Sequence, residues 1–386
     1  MKHCPQKISA FFLAWLSVLF LVLPVGASGE TESMPVFATA SAQSYVLMDA
    51  DTGEVLSSSQ KDMPLPMAST TKIMTALLAV ESGRLGDLVT VPRDAVGTEG
   101  SSVYLIAGEK ILLSDLVYAL LLESANDAAV TIAYHLSGDI PTFCEAMNAK
   151  AKDLGMAHTH FVNPHGLPAE GHVASATDLA NLMRNALKNE AFSEICSTKQ
   201  KTIPAPEGKT RYLSNHNRLL KTYPSCIAGK TGYTKSAGRC LVTAARQNGK
   251  TLVCATLSDP HDWQDHKALF EYGFSLYSKA FNVSTGEISG TIPVVGGTTD
   301  SLSFSNRASL SFPLKEGQTA HVIVETESFL FAPQQRDSAI GSAKVTVDGV
   351  EVSTIPLFLD AEVDFATPPP TFFQKLWNKI KNWLHL

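Results

Sequence analysis

The chain opens with Lys2 and Lys7, then an apolar run over 8–25 that ends in Val25-Gly26-Ala27. A basic start, an apolar centre and a small-residue end predict a secretory signal, residues 1–27, cleaved after Ala27. From 72 to 80 the chain is apolar without Gly or Pro, which predicts a buried helix. Pro64 and Pro66 block its extension back past Met67. Leu116, Val117, Leu120 and Leu121 recur at helical spacing over 114–122, and a second helical pattern covers 127–136. Residues 238–245 and 250–257 flank Asn248-Gly249, a strong signal for a tight hairpin that sets Gln247 opposite Lys250. Both strands carry apolar residues on both faces, so the sheet should be covered on both sides.

The pattern changes after residue 280. Residues 281–366 are rich in Val, Thr, Ser and Gly, with short alternating stretches and an Asp348-Gly349 turn, and predict a small β-sandwich domain. The preceding 32–280, about 250 residues, are enough for one sizeable domain of helices around a sheet. Pro368-Pro369-Pro370 make 367–370 a linker. In 371–386, Phe372, Phe373, Leu376, Trp377, Ile380, Trp383 and Leu384 form one apolar helical stripe, with Lys375, Lys379 and Lys381 off it. A bilayer span needs about 20 residues, more than this tail offers. Its tryptophans and lysines suit a helix lying on an anionic membrane surface instead.

Composition narrows the function classes. The formal net charge of −6 argues against nucleic-acid binding. Once Cys4 is removed with the signal, Cys144, Cys196, Cys226, Cys240 and Cys254 remain. The hairpin register sets Cys254 opposite Thr243, so Cys240 and Cys254 point to opposite faces and should not bond to each other; buried thiols are expected. His158, His160, His165 and His172 crowd one loop without metal-ligand spacing, so no metal or cofactor is expected. Gly-Lys-Thr occurs at Gly208, Gly229 and Gly249, but Ile203, Pro224 and Ala244 stand where a phosphate loop needs its first glycine.

Three short polar motifs carry the chemistry: Ser69-Thr70-Thr71-Lys72, Ser124-Ala125-Asn126 and Lys230-Thr231-Gly232. Ser69 and Lys72 fall at i and i+3 in a first helical turn, where the amine can reach the hydroxyl. The helix start also favours a developing negative charge. Alone, the pair would read as a helix cap and a solvated lysine. Ser58 and Lys61 share the spacing, but the chain runs from them into Asp62, Met63 and Pro64, where no helix can align them. Ser124 and Asn126 lie in the break between two helical patterns, which is also where capping residues gather. Lys230 to Tyr233 would form the strand beside the hairpin, open to an extended peptide.

In this order the motifs form the set found in penicillin-binding proteins and class A β-lactamases. The chain resembles the D-alanyl-D-alanine carboxypeptidases of the low-molecular-mass penicillin-binding type. Met67-Ala68, Phe161, Asn163, His165-Gly166-Leu167 and Ser175-Ala176-Thr177-Asp178 add to the likeness. The resemblance implies an α+β, β-lactamase/transpeptidase-like catalytic domain, an antiparallel sheet covered by helices, followed by the small all-β sandwich and the amphipathic helix. It implies that Ser69 is the nucleophile, Lys72 its base, and Ser124 a proton relay. Asn126, Lys230, Thr231, Gly232 and Tyr233 would bind substrate, with Thr231 on its carboxylate and the N–H groups of Ser69 and Tyr233 as the oxyanion hole. The implied substrate is a peptidoglycan stem peptide ending in D-Ala-D-Ala, outside the cytoplasmic membrane, with β-lactams as covalent inhibitors. Some relatives carry a histidine where Tyr233 stands and a carboxylate-binding arginine beyond the Cys254 strand. Here that region reads Asp259-Pro260-His261-Asp262-Trp263. No Glu-x-x-Leu-Asn lies between the second and third motifs, and the long C-terminal extension also argues against a β-lactamase. A catalytically silent penicillin- or wall-binding protein, an esterase and an endopeptidase of related fold are the alternatives.

Overall fold

The computed structural model describes residues 40–277 and 279–366, together with Gln374, Lys375, Trp377, Lys379 and Lys381 of the tail. The expected signal at 1–27 and the expected linker at 367–370 lie outside the described residues, as does most of the apolar stripe of 371–386. The described tail positions are helical and exposed.

The chain divides into two compact units, the second beginning its strands at Lys279. In the first, β1 (Ser44–Asp49) and β2 (Val55–Ser59) precede a 3₁₀ turn (Ala68–Thr71) that continues into α1 (Lys72–Glu81). A short pair, β3 (Leu88–Thr90) and β4 (Lys110–Leu112), leads to the helices α2 (Leu113–Leu122), α3 (Asn126–Ser137), α4 (Ile140–Asp153), α5 (Ala176–Ala186) and α6 (Glu190–Ser197). The hairpin β5 (Gln200–Pro204) and β6 (Thr210–Ser214) and the one-turn α7 (Leu219–Thr222) follow. Then come β7 (Cys226–Thr234), β8 (Gly238–Gln247), β9 (Lys250–Leu257) and α8 (Asp262–Ser275).

The main sheet has the order β2-β1-β9-β8-β7, antiparallel throughout. Its central strands alternate between two apolar cores. Val46, Val242, Ala244, Val253 and Ala255 face the helical layer of α1 to α6; Leu47, Leu241, Ala245 and Leu252 face α8 and α7. Two-sided burial is why these strands read as nearly continuous apolar runs. α2 is buried almost all round, as expected of a helix inside the helical layer rather than over it. The expected register is found: Gln247 pairs with Lys250 and Thr243 with Cys254. Cys240 belongs to the helix-side core and Cys254 to the α8-side core, and all five described cysteines are free and buried.

Over residues 279–366 the second unit is all β. β10 (Lys279–Val283) pairs with β13 (Leu310–Leu314), so Lys279 and Ala280 already belong to this unit, slightly before the change in composition. A six-stranded sheet joins β11 (Ser289–Val295), β12 (Ser301–Asn306), β14 (Ala320–Thr326), β15 (Leu330–Phe331), β16 (Ala339–Val347) and β17 (Val350–Leu359). Asp348-Gly349 turns β16 into β17, with Val347 opposite Val350. Phe281, Phe304, Phe312, Val345 and Leu357 fill its core. No helix among the described residues is long and apolar enough to cross a membrane.

Candidate active site

Ser69 sits in the 3₁₀ turn rather than in an α-helical one, and this tightens the expected geometry: side chains at i and i+3 of a 3₁₀ turn eclipse. Lys72 Nζ lies 2.8 Å from Ser69 Oγ and donates to the His165 carbonyl at 2.5 Å. The decoy is excluded, since Ser58 lies in edge strand β2 opposite Val46 and Lys61 pairs with Asp62.

Lys72 is wholly buried. Burial holds its amine well below the usual lysine range; the Lys230 charge adds to this, and Asp127 opposes it. Lowering its pKa raises the share of neutral amine that can accept the serine proton, a share that is small for a solvated lysine. Asp127 is itself fixed by Ser102 Oγ at 2.6 Å and by the N–H groups of Leu105 and Val103 at 2.9 and 3.3 Å.

The second motif does not cap its helix. Ala125 is the N-cap residue of α3, with no side-chain cap bond, and Ser124 adopts φ 59°. That sparsely populated backbone, a mark of functional sites, leaves Ser124 Oγ accepting from Lys230 Nζ at 3.0 Å. Asn126 Nδ2 donates to the Glu99 carbonyl at 2.5 Å, while its buried Oδ1 has no partner. Such an orphaned acceptor is open to a ligand N–H.

Lys230 reaches Ser124 from β7, an edge strand of the sheet, and also donates to the Thr231 carbonyl at 2.8 Å. Burial pushes its amine down to about 7, with the nearby Cys196 opposing. Gly232 allows the strand to pass close over the nucleophile's turn: a Cβ there would lie 3.0 Å from Ser69 N and 3.1 Å from Met67 O. Tyr233 is the next residue of the strand and is 67% exposed. The structure thus forms two hydrogen-bonded pairs, Ser69 with Lys72 and Ser124 with Lys230, coupled through the charge of Lys230 acting on Lys72.

Sequence reading gave no role to the 163–172 loop, which forms one wall. Asn163 Oδ1 accepts from the N–H groups of Gly166 at 2.7 Å and His165 at 3.3 Å, and Thr75 Oγ1 ties the Pro164 carbonyl to α1 at 2.6 Å. These bonds aim the His165 carbonyl at Lys72. His172 Nδ1 accepts from Val162 N at 2.9 Å, so its Nε2 carries the hydrogen and donates to Thr71 Oγ1 at 2.8 Å. Burial first, then neighbouring positive charge, lowers His165 to about 3 and His172 to about 4. Both rings are neutral at physiological pH. The tripeptide His165-Gly166-Leu167 was a visible signal, but nothing in it disclosed that its first backbone carbonyl would meet Lys72. Among the described residues, no cluster of His, Cys, Asp and Glu could hold a metal ion.

A serine in contact with a desolvated lysine, beside a second serine–lysine pair on a strand edge, defines an acyl-transfer site of the active-site-serine penicillin-recognising class. The description "D-alanyl-D-alanine carboxypeptidase" matches residues 29–261, and "Penicillin-binding protein 5, C-terminal domain" matches 277–364. The chain is 31% identical to the D-alanyl-D-alanine carboxypeptidase DacA of Escherichia coli (strain K12), across 89% of this chain and 88% of that one. It is 30% identical to DacF of Bacillus subtilis (strain 168), across 82% and 84%. Among solved structures, the D-alanyl-D-alanine carboxypeptidase from Mycobacterium tuberculosis H37Rv matches with a TM-score of 0.61 at 32% identity, covering 65% of this chain and 98% of that one. Penicillin binding protein 5 from Haemophilus influenzae matches with a TM-score of 0.61 at 26% identity, covering 86% and 99%. The chain belongs to the D-alanyl-D-alanine carboxypeptidase family, and its fold is the α+β arrangement of these structures followed by the all-β domain.

Proposed function

We propose that this protein is a serine-type D-alanyl-D-alanine carboxypeptidase that removes the terminal D-alanine from peptidoglycan stem pentapeptides. The contact between Ser69 Oγ and the buried Lys72 amine carries the reading. Neutral Lys72 takes the Ser69 proton as Oγ attacks the penultimate carbonyl. The N–H groups of Ser69 and Tyr233 receive the developing oxyanion. Ser124, bonded to Lys230, relays a proton to the departing D-alanine, and water then hydrolyses the acyl-enzyme. Asn126 binds a substrate amide through its unpartnered Oδ1, and Thr231 binds the carboxylate. β-Lactams acylate the same serine. Purified protein given a pentapeptide ending in D-Ala-D-Ala should lose one alanine by mass spectrometry, and Ser69→Ala should abolish labelling by a fluorescent penicillin. Penicillin labelling without alanine release would favour a silent penicillin-binding protein instead.

The family's substrate lies outside the cytoplasmic membrane, which fits an exported chain with residues 1–27 as its signal. Residues 371–386 hold the protein on the outer membrane face. The exposed Trp377 among exposed lysines supports that reading. Truncation after Pro370 should release the protein from membranes; unchanged sedimentation with them would refute the anchor.

A further inference from the structure

Removing a C-terminal residue requires recognition of a free carboxylate, and an anion leaving water needs a fixed cation with spare N–H donors. The two site lysines are already committed: Lys72 to Ser69 and His165, and Lys230 to Ser124 and the Thr231 carbonyl. Segment 259–263, beyond β9, supplies no arginine. One of its two acids, Asp262, instead holds an arginine from another strand.

Across β7 and β8, Thr231 pairs with Leu241 and Tyr233 with Arg239. Paired residues share a face, as do residues two apart, so Thr231, Tyr233 and Arg239 lie on one face at the open edge of the sheet. Thr231 and Arg239 are diagonal neighbours, about 7–8 Å apart at Cα and within reach of a long side chain. Arg239 Nη2 donates to both Asp262 oxygens, at 2.8 and 2.9 Å, and the guanidinium stacks over Trp263 at 5.7 Å. Asp262 is fixed in turn by Trp263 N at 2.8 Å and is only 3% exposed, whereas Arg239 is 42% exposed. The anchor uses one nitrogen of the fork; Nη1 and Nε have no other hydrogen bond among the described residues. The guanidinium lines a cleft of about 420 Å³ together with Arg218, Thr222, His261 and Gln264, and the engaged Asp262 is the sole carboxylate on its wall.

We propose that Arg239, oriented by Asp262 and Trp263, receives the terminal carboxylate of the substrate beside Thr231; this rests on the carboxypeptidase reading above. Arg239 is the binding group, and Asp262 a positioning residue that pre-sets the fork.

The test uses the full chain on a tripeptide ending in D-Ala-D-Ala and on the same peptide with its C-terminus amidated. The wild type should prefer the free acid by about 100-fold in kcat/KM. Arg239→Gln should lose most of that preference through KM while the amide reacts within threefold of wild type. Asp262→Asn should raise KM for the acid alone by about tenfold. Retention of the wild-type preference by Arg239→Gln overturns the proposal, and so does an equal loss on both peptides. If Arg239→Gln does not fold, the Asp262→Asn result decides by the same criterion. A wild-type chain that releases no D-alanine would refute the carboxypeptidase reading alone. Acylation of Ser69 by a penicillin against its methyl ester would then test Arg239 with the same expected and overturning results.

Discussion

Gly166 offers a sharp test of whether the 163–172 loop positions the proposed nucleophile. Its φ is +92°, and a Cβ built there would lie 2.0 Å from the Ala68 carbonyl oxygen, 2.4 Å from the Ala68 carbonyl carbon and 2.9 Å from Ser69 N. Ordinary van der Waals contact begins near 3.4 Å, so Gly166→Ala must drive the two backbones apart by 1.4 Å, the difference between 3.4 and 2.0 Å. All three atoms belong to the peptide leading into Ser69, so the shift displaces the serine from its position 2.8 Å from Lys72 Nζ. A misplacement of about 1 Å costs about 100-fold in rate. The left-handed backbone adds about 1 kcal/mol of strain and the overpacking about 2 kcal/mol, which together lower Tm by about 10 °C. Gly171→Ala is the control: φ is +75°, but the nearest atom, His160 Nδ1, lies 3.9 Å away, so it carries strain without a clash. Stopped-flow acylation by a fluorescent penicillin, beside thermal melts, reads both effects. Gly166→Ala acylating within threefold of wild type, or losing no more than Gly171→Ala, would refute the positioning argument.

Lys72→Met should abolish acylation yet raise Tm, because at pH 7 a wholly buried amine with a lowered pKa costs stability that an apolar side chain of similar length does not. A lower Tm for this variant would contradict the electrostatic account. Burial holds the His172 imidazole at about 4 in the folded chain, against 6.5 for a free imidazole, so the unfolded chain binds more protons between those values. Stability should therefore fall as pH drops from 6.5 to 4, by about 3 kcal/mol from this residue. His172→Gln, which keeps a hydrogen-bonding side chain without the titration, should flatten the Tm–pH curve there, and an unchanged curve would be the contrary result. Burial pushes the thiols of Cys144 and Cys226 up to about 11 and those of Cys196 and Cys240 up to about 12. A disulfide-exchange reagent should label them slowly in the native protein and fully after unfolding, without prior reduction. A reductant-dependent rise in the unfolded thiol count would reveal a disulfide instead.

The sequence by itself determined what depends on local covalent order. Asn248-Gly249 fixed the β8–β9 register, and with it the opposite faces of Cys240 and Cys254, because a two-residue turn leaves no freedom in pairing. Pro64 and Pro66 set where the first helical segment starts, and the Ser69–Lys72 spacing made their contact attainable. The motif set, with its family resemblance, assigned the chemistry. The tertiary structure decided everything that joins distant segments. Locally Ser124 could equally have been an ordinary capping residue; the fold instead gives it a strained backbone that offers its hydroxyl to Lys230, over 100 residues away in sequence. Desolvation of Lys72 needed the packing of α1, α2 and α3 together with a carbonyl from the His165 loop, and no local pattern encodes a buried amine's surroundings. The Arg239–Asp262 pair likewise arises because β8 and the start of α8 meet in space. Short-range stereochemistry is written residue by residue along the chain, whereas burial and electrostatic coupling depend on which segments the fold brings side by side.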